Sequence, residues 1–206
     1  MPTSIDDLVA AVRELDPQGR SKRWTSLSYC VLDAVWSINA DYSSVVDPLV
    51  RRIASELGDD APVAPVDQMP SEDPAPLTAL VATYPDESAL LAVANRQRTS
   101  TTNGVTKAEA ALSYARILID HDVTTLADAE ALTPGGDQFE AVDSALRTVP
   151  GEGSHGIRRG YFWMLVGDDN GVKPDRMVLR WLKRHGFEGG ASDALSVIRT
   201  VAARLS

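Results

Sequence analysis

The 206-residue sequence predicts an all-α protein. Apolar residues recur at helical spacing through almost every segment. Most of these runs start at a capping residue or stop at Gly or Pro. No paired runs of strand type, internal repeats or low-complexity tracts interrupt the pattern.

The elements follow in order. Ser4 caps a helix over 5–15, with Ile5, Leu8, Val9, Val12 and Leu15 on one stripe, and Pro17 and Gly19 end it. Residues 25–39 are very apolar (Leu27, Val31, Leu32, Ala34, Val35, Trp36, Ile38) and read as a central, buried helix. A further helix over 43–57 stops at Gly58. Pro62, Pro65, Pro70, Pro74 and Pro76 make 59–76 an extended loop within one domain. A short helix over 77–83 is followed by one over 86–95, opened by Pro85. Residues 95–104 are polar and loop-like. Thr106 caps a helix from Lys107 to Asp120 with the stripe Ala111, Tyr114, Ala115 and Leu118. The next helix, 125–132, is stopped by Pro134-Gly135-Gly136, and a helix over 137–148 runs into Val149-Pro150-Gly151-Glu152-Gly153. Helices over 155–167 and 174–185 flank Gly167-Asp168-Asp169-Asn170-Gly171, and Ser192 caps a last helix over 193–204.

The 44% hydrophobic and 24% charged fractions are those of an ordinary globular chain. No apolar run is long enough for a membrane span, and the acidic, amphipathic start lacks a signal-peptide pattern, so the expected location is the cytoplasm. The one cysteine, Cys30, makes no intrachain disulfide, holds no zinc or iron–sulfur centre alone, and is expected in the core. The net charge of −9 argues against a polyanion partner, but its distribution qualifies this. Residues 1–90 carry six basic and fifteen acidic side chains; residues 91–206 carry fourteen of each. Within 155–185, Arg158, Arg159, Lys173, Arg176, Arg180, Lys183 and Arg184 outnumber three acids. Salt screens distant charge, so a local basic face can bind phosphate on an acidic chain. The same bases also suit plain solvated helix surfaces.

The informative segment is 142–184, where a helix enters a Pro-Gly-x-Gly turn and a second helix leaves it. Glycines let such a turn expose backbone N–H groups, which with a helix start form a concavity suited to phosphate. Taken with the rest of the chain, this segment resembles the endonuclease III-like family of helix-hairpin-helix DNA glycosylases. The likeness covers about 24–186. The family hairpin reads Leu-Pro-Gly-x-Gly; here it is Val149-Pro150-Gly151-Glu152-Gly153. The family's downstream Val-Asp-x-x-x-x-Arg resembles Pro174-Asp175-Arg176-Met177-Val178-Leu179-Arg180. Asn103-Gly104-Val105-Thr106-Lys107-Ala108-Glu109 and the helix ending Trp36-Ser37-Ile38-Asn39-Ala40 resemble two earlier family segments.

The resemblance implies two helical lobes, 22–136 and 1–21 plus 137–206, with double-stranded DNA in the cleft between them. It implies phosphate contacts at Pro150, Gly151, Glu152, Gly153, Ser154 and His155, flanked by Arg158 and Arg159, with room for a monovalent cation on the hairpin backbone. It places Asp175 at the cleft mouth, where a carboxylate stabilises the positive charge that builds on deoxyribose as the base leaves. Asp175 also suits the N-cap of the following helix, and the two roles are compatible. Bifunctional relatives carry a lysine just after the hairpin, whereas this chain has Ser154-His155-Gly156-Ile157. The hairpin-to-Asp spacing is also slightly longer, so His155 or Gly156 stands near that place. The expected enzyme is therefore a monofunctional, monomeric DNA glycosylase acting on a damaged or modified base, without cofactor or iron–sulfur cluster, and nucleoid-associated when bound.

The remaining positions are more open. His155 suits either a nucleotide contact or an exposed turn. Arg96 and Arg98, in the polar 95–100 loop, suit either DNA reading or a surface loop. Trp36, Asn39 and Tyr42 are base-pocket positions by family analogy alone. Tyr161, Phe162, Trp163 and Met164 are consecutive and cannot share one helix face, so core packing is expected for most. A non-catalytic helix-hairpin-helix DNA-binding protein is the alternative function, and a helical protein-interaction module is a third.

Overall fold

The computed structural model describes residues 4–100, 104–153, 156–168, 171 and 176–205. The described residues are mostly helical. The chain divides into two compact units, one of residues 1–20 with 170–206 and one of residues 21–169.

The smaller unit contains α1 (Ile5–Glu14), α10 (Arg176–Arg184) and α11 (Ala191–Ala203). Ser4 caps α1 as expected: its hydroxyl accepts from the Asp7 amide, and the Asp7 carboxylate accepts from the Ser4 amide. Helix α11 begins earlier than Ser192 predicts, because the Asp193 carboxylate accepts from the Gly190 amide and makes Gly190 the cap. Leu8, Val9, Leu182, Ala194 and Val201 are buried together in this unit.

The larger unit is organised around α2 (Leu27–Trp36), every residue of which is buried. Cys30 is among them, as expected. The helix is shorter than the apolar run: Ser26 caps it by accepting from the Ser28 amide, and the chain leaves it at Ser37 before Asn39 turns left-handed at φ 54°. Helix α6 (Lys107–Asp120) has the predicted bounds, with Thr106 accepting from the Glu109 amide. Helices α6 and α9 (Ile157–Leu165) pack on α2, and α8 (Asp137–Leu146) packs on α6. The helices beside the Pro-Gly-x-Gly turn thus belong with the central helices, whereas the sequence grouped them with the N-terminal helix. Burial of Phe162 and Trp163 from α9 and of Val142 and Leu146 from α8 in the main core is the physical reason.

Around this centre lie α3 (Asp47–Glu56), α4 (Leu77–Thr83), α5 (Glu87–Leu91) and α7 (Leu126–Ala131). A π-helical turn over Tyr42–Val46, capped by Asp41, leads into α3. Against the expectation of no strand pairs, β1 (Lys22–Trp24) pairs antiparallel with β2 (Val63–Pro65), with Arg23 opposite Ala64. Three-residue strands are too short to show a period of two, and their partners are distant in sequence. Thus the proline-rich 59–76 segment is partly a sheet edge, with Pro65 ending its strand.

Candidate functional site

The site is built from the turn between α8 and α9, the loop before α6, and two buried carboxylates. Helix α8 ends at Leu146, and Val149 turns its side chain into the core. Gly151 and Gly153 follow at φ 81° and 76°, a region closed to most side chains, and Gly156 enters α9 at φ 58°. Pro150, Gly151 and Gly153 are exposed. Among the described residues, the amides of Gly151 and Gly153 have no hydrogen-bond partner. Ser154, His155 and Asp175 lie outside the described residues.

Glu152, Arg158 and Arg159 face inward, which corrects the expectation that they meet phosphate. Glu152 is buried at 7% exposure and accepts from the Tyr114 hydroxyl of α6 and, at 3.0 Å, from the Arg159 amide. Arg158 is 1% exposed: it donates to the Gly151 carbonyl at 2.7 Å and lies over the Tyr114 ring. Arg159 is held by the Asp143 carboxylate at 2.6 Å and by Glu152. Asp143 also accepts from the Trp163 indole at 2.9 Å, which places Trp163 in the core rather than a pocket. These helices come together over α6, and a buried charge persists only when paired, so the arginines brace the turn from within. Burial pushes the Glu152 carboxyl up, opposed by the Tyr114 hydroxyl and by both guanidiniums. Burial and the Glu152 charge push the Tyr114 phenol up.

Thr99, in the loop before α6, rests on this turn, and the described residues of that loop hold it there. The ends of the loop are drawn together by the Thr99 amide on the Val105 carbonyl and the Lys107 amide on the Gln97 carbonyl. Thr99 packs so closely on Gly151 that a side chain there would overlap it. Arg98 donates to the Gly104 carbonyl and so closes its own loop, while Arg96 is exposed.

The family-position pocket residues separate. Trp36 is fully buried, its indole donating to Asn95 Oδ1 at 3.0 Å, so it is a core residue. Asn39 is exposed, and Tyr42 is 46% exposed. The Tyr42 hydroxyl points to Asp33 Oδ2 at 3.4 Å. Asp33 is fully buried and also accepts from the Trp24 indole at 2.8 Å and the Ser37 hydroxyl at 2.6 Å. The half-buried Tyr161 faces the same carboxylate. Burial first, then the Asp33 charge, pushes both phenols up. Sequence reasoning missed Asp33, although an acid inside an otherwise apolar helix is a legible signal.

Lys107 was also missed as a buried group. Its ammonium donates to the carbonyls of Trp36 at 2.9 Å and Ile38 at 2.6 Å, and to Gln97 Oε1 at 3.0 Å. It thereby caps the C-terminal end of α2, where a cation suits the helix dipole. Burial, aided by the nearby Arg158 charge, lowers its pKa to about 8.

Among the described residues, no group of three or more His, Cys, Asp or Glu is placed to hold a metal ion. No described helix is long and apolar enough to cross a membrane. A family model described as a domain of unknown function, DUF8548, matches residues 3–206, and the chain belongs to that family. No curated protein and no solved structure matches it.

Proposed function

We propose that this chain is a monofunctional DNA glycosylase that hydrolyses the bond between deoxyribose and a damaged or modified base. The observation that carries this reading is the turn between α8 and α9. It presents two exposed glycines at positive φ whose amides have no partner among the described residues, while Glu152, Arg158 and Arg159 are turned inward. Such a surface suits a phosphate diester, which accepts backbone N–H groups without a basic side chain. It makes the turn the hairpin of a helix-hairpin-helix pair. Asp175, immediately before α10 in the sequence, is the proposed catalytic carboxylate. In the reaction the C1′–N bond breaks, water oxygen bonds to C1′, and the remaining water proton ends on the departing base. The carboxylate stabilises the sugar cation and orients the water. The base leaves the stack before the bond breaks.

The test is excision on duplexes that each carry one modified base, with abasic sites revealed by alkali. Wild type is expected to release one base class, and Asp175→Asn to lose about 10²-fold or more. Borohydride is expected to trap no covalent adduct, since residues 154–157 contain no lysine. DNA binding without excision of any base would favour a non-catalytic binding protein. Excision unchanged in Asp175→Asn would remove the proposed role of that residue.

A further inference from the structure

We propose that the outward face of α10 is a binding surface for the phosphodiester backbone of duplex DNA. This rests on the DNA-directed function proposed above but on different residues. The basic segment read from the sequence separates into two groups. Arg158 and Arg159 are consumed inside the larger unit. Arg180, Lys183 and Arg184 are exposed, and among the described residues none of their three side chains has a hydrogen-bond or ion-pair partner. At about 100° per residue, these three positions and the 66% exposed Met177 lie within roughly one third of the helix circumference. The opposite side, with Leu182 buried and Val178 half-buried, packs in the core of the smaller unit. The face is therefore held in place from behind.

Cations in a last helical turn also favour the helix dipole, which accounts for Lys183 and Arg184. It does not account for Arg180 in the middle of the helix. Charge complementarity decides the occupant. The smaller unit carries nine basic and seven acidic residues, the larger eleven basic and twenty-two acidic. A polyanion is repelled by the larger unit as a whole and attracted by this face. Three side chains spaced at i, i+3 and i+4 suit consecutive phosphates rather than one small anion.

The experiment measures binding to an unmodified random-sequence duplex between about 50 and 200 mM salt. Each phosphate contact contributes about 0.9 to the slope of log K against log salt, so Arg180→Gln/Lys183→Gln/Arg184→Gln is expected to flatten it by about 2–3. Arg13→Gln/Arg52→Gln/Arg199→Gln, which removes the same charge from exposed sites on other helices, is expected to leave the slope within about one unit of wild type. Arg180→Lys/Arg184→Lys is expected to keep the slope and so control for folding. An unchanged slope in the α10 variant, or an equal loss in the control, would overturn the proposal while leaving the DNA-directed reading intact. No binding by wild type would overturn both. Loss of binding to anionic phosphatidylserine vesicles, with DNA binding unchanged, would assign the face to a membrane instead.

Discussion

Replacing Gly151 by Ala combines two costs that can be separated at a neighbouring glycine. The backbone at Gly151 has φ 81°, where a Cβ meets the following carbonyl and costs about 1–2 kcal/mol. The new Cβ would also stand 2.2 Å from Thr99 Oγ1 and 2.3 Å from Thr99 Cβ. Carbon atoms in contact prefer about 3.5–4.0 Å, so the turn or the loop must move by more than an ångström. Rotating Thr99 does not help, because its Cβ is fixed to the backbone. Overpacking of this kind costs about 1–3 kcal/mol, giving a total loss of about 2–5 kcal/mol. Gly153→Ala is the internal control: φ is 76°, but nothing lies within 4 Å of the added Cβ, so only the backbone cost of about 1–2 kcal/mol applies. The assay is urea unfolding followed by tryptophan fluorescence, with Thr99→Gly completing a double-mutant cycle. Gly151→Ala/Thr99→Gly should cost less than the sum of the single variants by about 1 kcal/mol or more. A Gly151→Ala variant no less stable than Gly153→Ala, or strict additivity with Thr99→Gly, would refute the close packing of loop on turn.

Two further expectations concern buried polar groups. Lys107 has a native pKa lowered to about 8, whereas a lysine in an unfolded chain titrates at about 10.4. Between those values the unfolded chain binds more protons, so stability rises with pH across the window by up to about 3 kcal/mol. Urea unfolding from pH 7 to 11 should show this rise in wild type and not in Lys107→Met; a flat wild-type difference would contradict it. Tyr114→Phe removes the hydroxyl that donates to the buried Glu152 carboxylate and is expected to cost about 1.5–3 kcal/mol. A loss below about 0.5 kcal/mol would mean that the two arginines satisfy Glu152 without it.

Much of the helical framework was legible because its signals are local. Ser4 and Thr106 each cap the helix they precede, and α6 has the bounds its stripe and cap predicted. Gly58 follows α3 at φ 88°, where its lack of a side chain suits the helix end. The burial of Cys30 follows from the apolar run around it. The β1–β2 pair was not legible, since it joins two short segments on either side of α2 and α3. At the candidate site, the positions of the turn glycines were readable, because Pro-Gly-x-Gly allows a left-handed backbone at no steric cost.

The directions taken by the charged side chains were decided only in three dimensions. Arg158 and Arg159 look like surface cations beside a turn, yet Glu152, Asp143 and Tyr114 draw them inward. Two of those partners come from helices separated from the arginines by loops, so no spacing rule reveals them. Asp33, Lys107 and Trp36 follow the same logic, each satisfied by a group distant in sequence or at the far end of a helix. Local sequence determines where helices start, stop and turn, because caps, glycines and apolar stripes act within a few residues. Which cations remain outside, as Arg180, Lys183 and Arg184 do, depends on which buried acids the packed helices bring within reach.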